Sequence, residues 1–125
     1  MQKRFSLRAR ARSFGYAFQG LATLLREEPN ARIHLFFAML AIALGLLLQI
    51  ATMEWLLIIL CIGIVFATEA LNTAIEAICD RVTTNHDPFI KKAKDCGAAA
   101  TFLVAMGSAL IGVLIFIPKL WAMVV

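Results

Sequence analysis

Three apolar runs dominate the chain, each bounded by polar or charged residues. The first, about 33–50, contains no Asp, Glu, Lys or Arg. At about 1.5 Å per residue, such a helix spans roughly 27 Å, near the thickness of a hydrocarbon core. The second, about 55–80, is apolar as far as Glu69 and then continues in helix-forming residues to Asp80. Its length, roughly 38 Å, predicts a helix that projects from the bilayer at its C-terminal end. The third run covers about 97–117. Before all three, Phe14, Phe18, Leu21 and Leu25 recur at helical spacing, with Arg8, Arg12, Gln19, Thr23 and Arg26 on the opposite side. That pattern over about 6–27 predicts a basic amphipathic helix lying in the membrane interface, with Lys3 and Arg4 adding charge before it. The fold class expected is all-α and integral to the membrane: one N-terminal surface helix and three transmembrane helices in a single domain, 1–125.

Local signals place the boundaries. Pro29 suits a helix start, since its missing N–H would be unpaired there anyway. The turn Gln49 to Glu54 has no Lys or Arg, and Trp55 reads as an interfacial anchor, like Phe14 and Phe18. Arg81 to Asp95 reads as a polar loop with a turn at Asn85-His86-Asp87-Pro88. Pro118-Lys119-Leu120-Trp121 is expected to end the third span. Gly97, Thr101, Ala105, Ser108 and Gly112 form a stripe of small residues, a helix-packing face.

Composition narrows the class. The chain is 62% hydrophobic and 16% charged, and a water-soluble protein this short has no core large enough for so much apolar surface. The net charge of +4 does not indicate nucleic acid, because the basic residues flank the spans. Anionic headgroups and nucleotide phosphates are better partners. Cys61, Cys79 and Cys96 lack metal-binding spacing and read as reduced packing residues. Of the twelve Lys and Arg, seven precede the first span, four lie in 81–95, and one follows the third. By the positive-inside rule the N-terminus and the 81–95 segment are cytoplasmic.

One feature does not belong in an ordinary span. Glu69, Asn72, Glu76 and Asp80 fall on one narrow stripe of the second helix, since each residue turns by about 100°. A charge near the bilayer centre costs roughly 2.5–3.5 kcal/mol or more, so ionisable groups there mark a functional site. Glu27, Glu28, Arg32 and His34 begin the first span on the same side of the membrane, and Lys94 and Asp95 precede the third. Glu69 lies seven residues, roughly 10 Å, deeper than Glu76. A carboxylate at that depth reaches a hydroxyl at the headgroup–acyl boundary, where a base is needed to take the hydroxyl proton. Glu76 and Asp80 sit nearer water. Glu28 and Glu76 suit Mg2+, which takes one or two carboxylates together with substrate phosphates. Lys94 suits a phosphoryl group. The expected chemistry is phosphoryl transfer from a cytoplasmic nucleotide to a membrane lipid alcohol, with Glu69 as general base. Neither a P-loop nor a G-x-G-x-x-G sequence is present.

The motif Glu69-x-x-Asn72-Thr-Ala-Ile-Glu76-x-x-x-Asp80, followed by Ala93-Lys94-Asp95-x-Gly-Ala-Ala99, resembles the signature of the bacterial integral-membrane diacylglycerol kinase and undecaprenol kinase family. The resemblance covers nearly the whole chain, including Gly15-Tyr16 and Gly20-Leu21. It implies a homotrimer in the bacterial cytoplasmic membrane, using ATP and Mg2+ at active sites shared between subunits. It also implies Glu69 as catalytic base, Glu28 and Glu76 as metal ligands, and Asn72, Asp80, Lys94 and Asp95 as active-site residues. Tyr16 and the Asn85-His86-Asp87 turn match nucleotide-contacting positions. The family's N-terminal nucleotide-contacting arginine has no unambiguous equivalent among Arg8, Arg10 and Arg12, and Arg10 stands for it here. Arg32-Ile33-His34 and the ending Phe116-Ile117-Pro118-Lys119-Leu120 are closer to the undecaprenol branch, whereas position 34 is acidic in the diacylglycerol branch. Undecaprenol is therefore the favoured substrate and diacylglycerol the alternative.

Two readings from other classes stand beside this. In a small proton-coupled transporter subunit the glutamates would be proton relays, but the polar residues cluster at one membrane face. A non-catalytic assembly subunit would use Glu69 and Glu76 as polar glue. Such bonds contribute only about 0.6–2 kcal/mol each, little against the burial of two carboxylates.

Overall fold

A computed structural model describes residues 6–125; Lys3 and Arg4 lie outside the described residues. The described chain is all-helical, with α1 Leu7–Glu27, α2 Pro29–Leu47, α3 Thr52–Val82 and α4 Pro88–Val124. The last three are long and apolar enough to cross a membrane. They run up, down and up, so the starts of α2 and α4 meet the end of α3.

Each boundary has a local cause. Ser6 caps α1, its hydroxyl accepting from the Ala9 N–H at 3.4 Å. α1 ends within one residue of Pro29, and Arg32 bridges the junction. Its Nε donates to the Leu25 carbonyl at 2.9 Å, and its Nη2 donates to the Arg26 carbonyl. These are end-of-helix carbonyls that otherwise lack donors. α2 ends in a tight reversal. Leu48 N–H bonds to Leu44, Ile50 N–H reaches back to Gly45 at 3.1 Å, and Gln49 takes a left-handed φ of 49°. This is the Schellman arrangement, and Ile50 closes it by tucking inward. α3 then starts with Glu54, whose carboxylate accepts the Ala51 N–H at 2.7 Å.

Two expectations need correction. Residues 81–95 are not a loop: α3 continues to Val82 and α4 begins at Pro88. Asp87 is the cap, its carboxylate accepting from Phe89 N–H at 2.8 Å and Ile90 N–H at 3.1 Å. Asp followed by Pro is a helix-start signal as well as a turn signal. Pro118 does not end the third helix, which continues to Val124. Proline removes one N–H and strains the preceding turn. Here the helix is held on both sides of it: Ile115 and Phe116 are buried, and Lys119 pairs with Glu54 of α3 at 3.1 Å.

The apolar core sits at the end opposite the acidic stripe. Ile50, Ile58, Ile115 and Phe116 form it, with Leu44, Trp55 and Ile111 packed alongside. Trp55 is therefore half-buried in the protein: its ring lies against Gly45, where a Cβ would come within 2.8 Å of the indole. α3 and α4 share the most extensive interface. The small-residue stripe of α4 is buried or half-buried, while Phe102, Leu103, Met106 and Leu110 point outward. α1 docks through Leu24, only 2% exposed, leaving Phe14 and Phe18 on the surface.

A left-handed backbone costs a residue with a Cβ about 1–3 kcal/mol, whereas glycine adopts it freely. Gln49→Gly should therefore raise the thermal unfolding midpoint in detergent, with a net gain of about 1 kcal/mol. A lower midpoint would show that the Gln49 side chain makes up for its backbone.

Candidate active site

The acidic stripe of α3 runs from the interior outward. Glu69 is buried at 4% exposure, Asn72 and Glu76 are half-buried, and Asp80 is exposed. A carboxylate as deep as Glu69 needs a partner, and α2 supplies it: His34 Nε2 lies 3.0 Å from Glu69 Oε1. The sequence places His34 beside Glu28 at the start of the first span but assigns it no role in the site. Its signal was an ionisable side chain within an apolar run.

One turn further along α3, Asn72 Nδ2 donates to Glu76 Oε1 at 2.9 Å. The other end of that amide, Oδ1, is buried and has no hydrogen-bond partner among the described residues. It is pressed against α4 at Gly97, where an added Cβ would stand 2.3 Å from it. Gly97 is therefore required by the close approach of the two helices beside the site. At the outer end of the stripe Asp80 pairs with Lys94, and Lys91 pairs with Asp95 one helical turn away. Both pairs follow from the early start of α4, which puts all four charges on helices.

The remaining candidates are placed less closely. Glu28 is half-buried between α1 and α2, and its side chain makes no cap hydrogen bond. An interfacial ion pair with Arg26 or Arg32 would be its plain structural role, and among the described residues neither is formed. The Arg32 guanidinium instead serves the α1 carbonyls, which leaves the Glu28 carboxylate uncommitted. Arg10 and Tyr16 are on the exposed part of α1. Asn85 and His86 are exposed, with the Asn85 N–H held by Thr83 Oγ1 at 3.1 Å, and Asp87 spends its carboxylate on the α4 cap. Among the described residues no group of three or more His, Cys, Asp or Glu side chains gathers as a metal site. A groove of about 430 Å³ opens between α3 and α4, lined by Thr68, Asn72, Ile75, Cys96 and Gly97.

The arrangement is a buried, partnered carboxylate graded into an exposed set of carboxylates and a lysine at one end of three membrane-type helices. Residues 15–116 match the family model described as prokaryotic diacylglycerol kinase. The chain belongs to this family. It is similar to the undecaprenol kinase of Bacillus subtilis (strain 168), at 41% identity over 109 residues, 87% of this chain and 89% of that protein. It is also similar to the diacylglycerol kinase of Synechocystis sp., 32% identical over 90% of this chain and 65% of that protein. The diacylglycerol kinase of Haemophilus influenzae is 34% identical over 70% of this chain and 75% of its own length. The protein is thus a bacterial membrane lipid kinase of this family.

Gly97→Ala tests the contact between α3 and α4. The new methyl overlaps Asn72 Oδ1, so the amide must turn away and release Glu76. Overpacking of this kind costs about 1–3 kcal/mol. The variant should lose both stability and at least tenfold of the kinase rate; a wild-type rate would show that the Asn72–Glu76 contact is dispensable.

Proposed function

We propose that the protein transfers the γ-phosphoryl group of ATP to undecaprenol at the cytoplasmic face of the bacterial membrane. The observation that carries this reading is the depth of Glu69: a carboxylate buried in an apolar span, at the inner end of a polar stripe that leads outward to Lys94. The likeness to the Bacillus subtilis protein supports the choice of lipid. The names of the Synechocystis and Haemophilus relatives favour the second reading, diacylglycerol.

In the reaction the Glu69 carboxylate takes the proton of the lipid hydroxyl. The hydroxyl oxygen bonds to the γ-phosphorus as the bond from that phosphorus to the β–γ bridging oxygen breaks. ADP leaves with the bond's electrons, and the phosphorylated lipid stays in the membrane. Little covalent chemistry falls to the protein, so positioning and charge neutralisation dominate. Lys94, poised by Asp80, is the cation for the phosphoryl group, with Asp95 and Asn72 supporting the site. Tyr16, Arg10 and the backbone of 85–87 are the nucleotide contacts.

The donor set fits Mg2+, a hard cation that takes oxygen ligands and keeps water. Glu28 is uncommitted, and Glu76 gives only one oxygen to Asn72. Glu28 and Glu76 would hold the ion, which would supply charge neutralisation on the phosphates. The cytoplasmic orientation rests on the Lys and Arg distribution. The homotrimer accounts for a site that one protomer leaves open along the groove between α3 and α4 and for the exposed apolar Leu71 and Ile78 of α3.

Purified protein should transfer label from γ-labelled ATP to undecaprenol in the presence of Mg2+, and more slowly to diacylglycerol. Label entering neither lipid would sink the reading, and preference for diacylglycerol would reverse the substrate assignment. Glu69→Gln should lower kcat by about a hundredfold or more while ATP binding persists. Glu76→Gln should raise the Mg2+ concentration needed for half-maximal rate; an unchanged requirement would remove Glu76 from the metal site.

A further inference from the structure

The most buried positions of α2 are small residues. Ala31 is fully buried, Ala38 is 8% exposed and Gly45 is buried, all on one stripe at helical spacing. His34 is the polar, half-buried side chain between Ala31 and Ala38 on that stripe. Small neighbours let α2 approach α3 closely, and the imidazole fills the space at the level of Glu69. Its nitrogen meets the carboxylate at 3.0 Å, with side-chain exposures of 21% for His34 and 6% for Glu69. Glu69 Oε2 has no hydrogen-bond partner among the described residues.

We propose that His34 is the positioning residue of the catalytic base. Its Nε2–H donates to Glu69 Oε1, which fixes the carboxylate's orientation and leaves Oε2 to receive the proton of the lipid alcohol. The inference rests on the reading of Glu69 as the base. An ionised carboxylate only accepts, so the hydrogen of this contact is carried by Nε2. The hydrogen bond restricts rotation of a three-torsion side chain before substrate arrives. Orientation of this kind acts on the chemical step and not on nucleotide affinity.

Three variants in the full-length protein test this. His34→Leu keeps the bulk and removes the donor. His34→Gln returns an amide N–H near the position of Nε2. His34→Leu combined with Glu69→Gln removes both ends. The leucine variant should lose about tenfold or more of kcat with KM for ATP unchanged. The glutamine variant should recover most of that loss. The double variant should be no slower than Glu69→Gln alone, because His34 acts only through Glu69. Imidazole 15N shifts give a check that survives poor folding of the leucine variant. The wild type should show Nε2 protonated at His34, and Glu69→Leu should lose that preference.

Full kcat in His34→Leu, or no recovery in His34→Gln, would overturn the inference, as would an unprotonated Nε2 in the wild type. Those failures differ from failure of the parent reading. If the wild type phosphorylates neither lipid, or Glu69→Gln is fully active, Glu69 is not the base and the role of His34 falls with it.

Discussion

Everything at the polar end of this molecule follows from one constraint: a carboxylate cannot sit unpartnered inside an apolar helix bundle. Glu69 is at that position, and α2 must approach closely enough to meet it with His34. The buried positions of α2, Ala31, Ala38 and Gly45, are small, and Gly45 lies against Trp55 of α3. At the junction with α1, Arg32 secures the last carbonyls of the surface helix. The Glu69–His34 contact ties α2 to α3 in the interior. Isolated buried charges are far more costly than paired ones, and the need to pair them gives direction to helix packing that van der Waals contact lacks.

The two ends of the bundle are held by different means. One is apolar and interlocked, with Trp55 against Gly45 and a cluster around Ile58 and Phe116. The other is polar, with hydrogen bonds and ion pairs between groups whose exposure increases towards water. The polar end suits the family's chemistry: phosphoryl transfer needs charges held in place and open to water on one side, with the lipid hydroxyl on the other.

Much of this was legible in the sequence because it is local. Hydropathy gave the three spans, 3.6-residue periodicity gave α1 within a residue, and offsets along α3 gave the stripe of Glu69, Asn72, Glu76 and Asp80. What escaped depended on contacts between helices or on signals with two meanings. Nothing near His34 in the chain points to Glu69, 35 residues away. Asp87-Pro88 reads equally as a turn and as a helix start, and the second meaning prevailed because Asp87 caps two N–H groups. Pro118 is a helix breaker in isolation, but burial before it and the Lys119–Glu54 pair after it keep α4 continuous.

That Lys119–Glu54 pair has a mechanical meaning. Together with the apolar cluster it joins α3 to α4 at the end far from the chemistry, as the rivet joins a pair of tongs. From Glu54 to Asp80 the lever arm is roughly 39 Å at about 1.5 Å per residue. A rotation of about 5° at the rivet moves the jaws by about 3 Å over that length, the span of one hydrogen bond. The jaws carry Asn72 against Gly97 and Asp80 against Lys94. Any rotation at the rivet therefore has to be absorbed where Asn72 meets Gly97 and Asp80 meets Lys94.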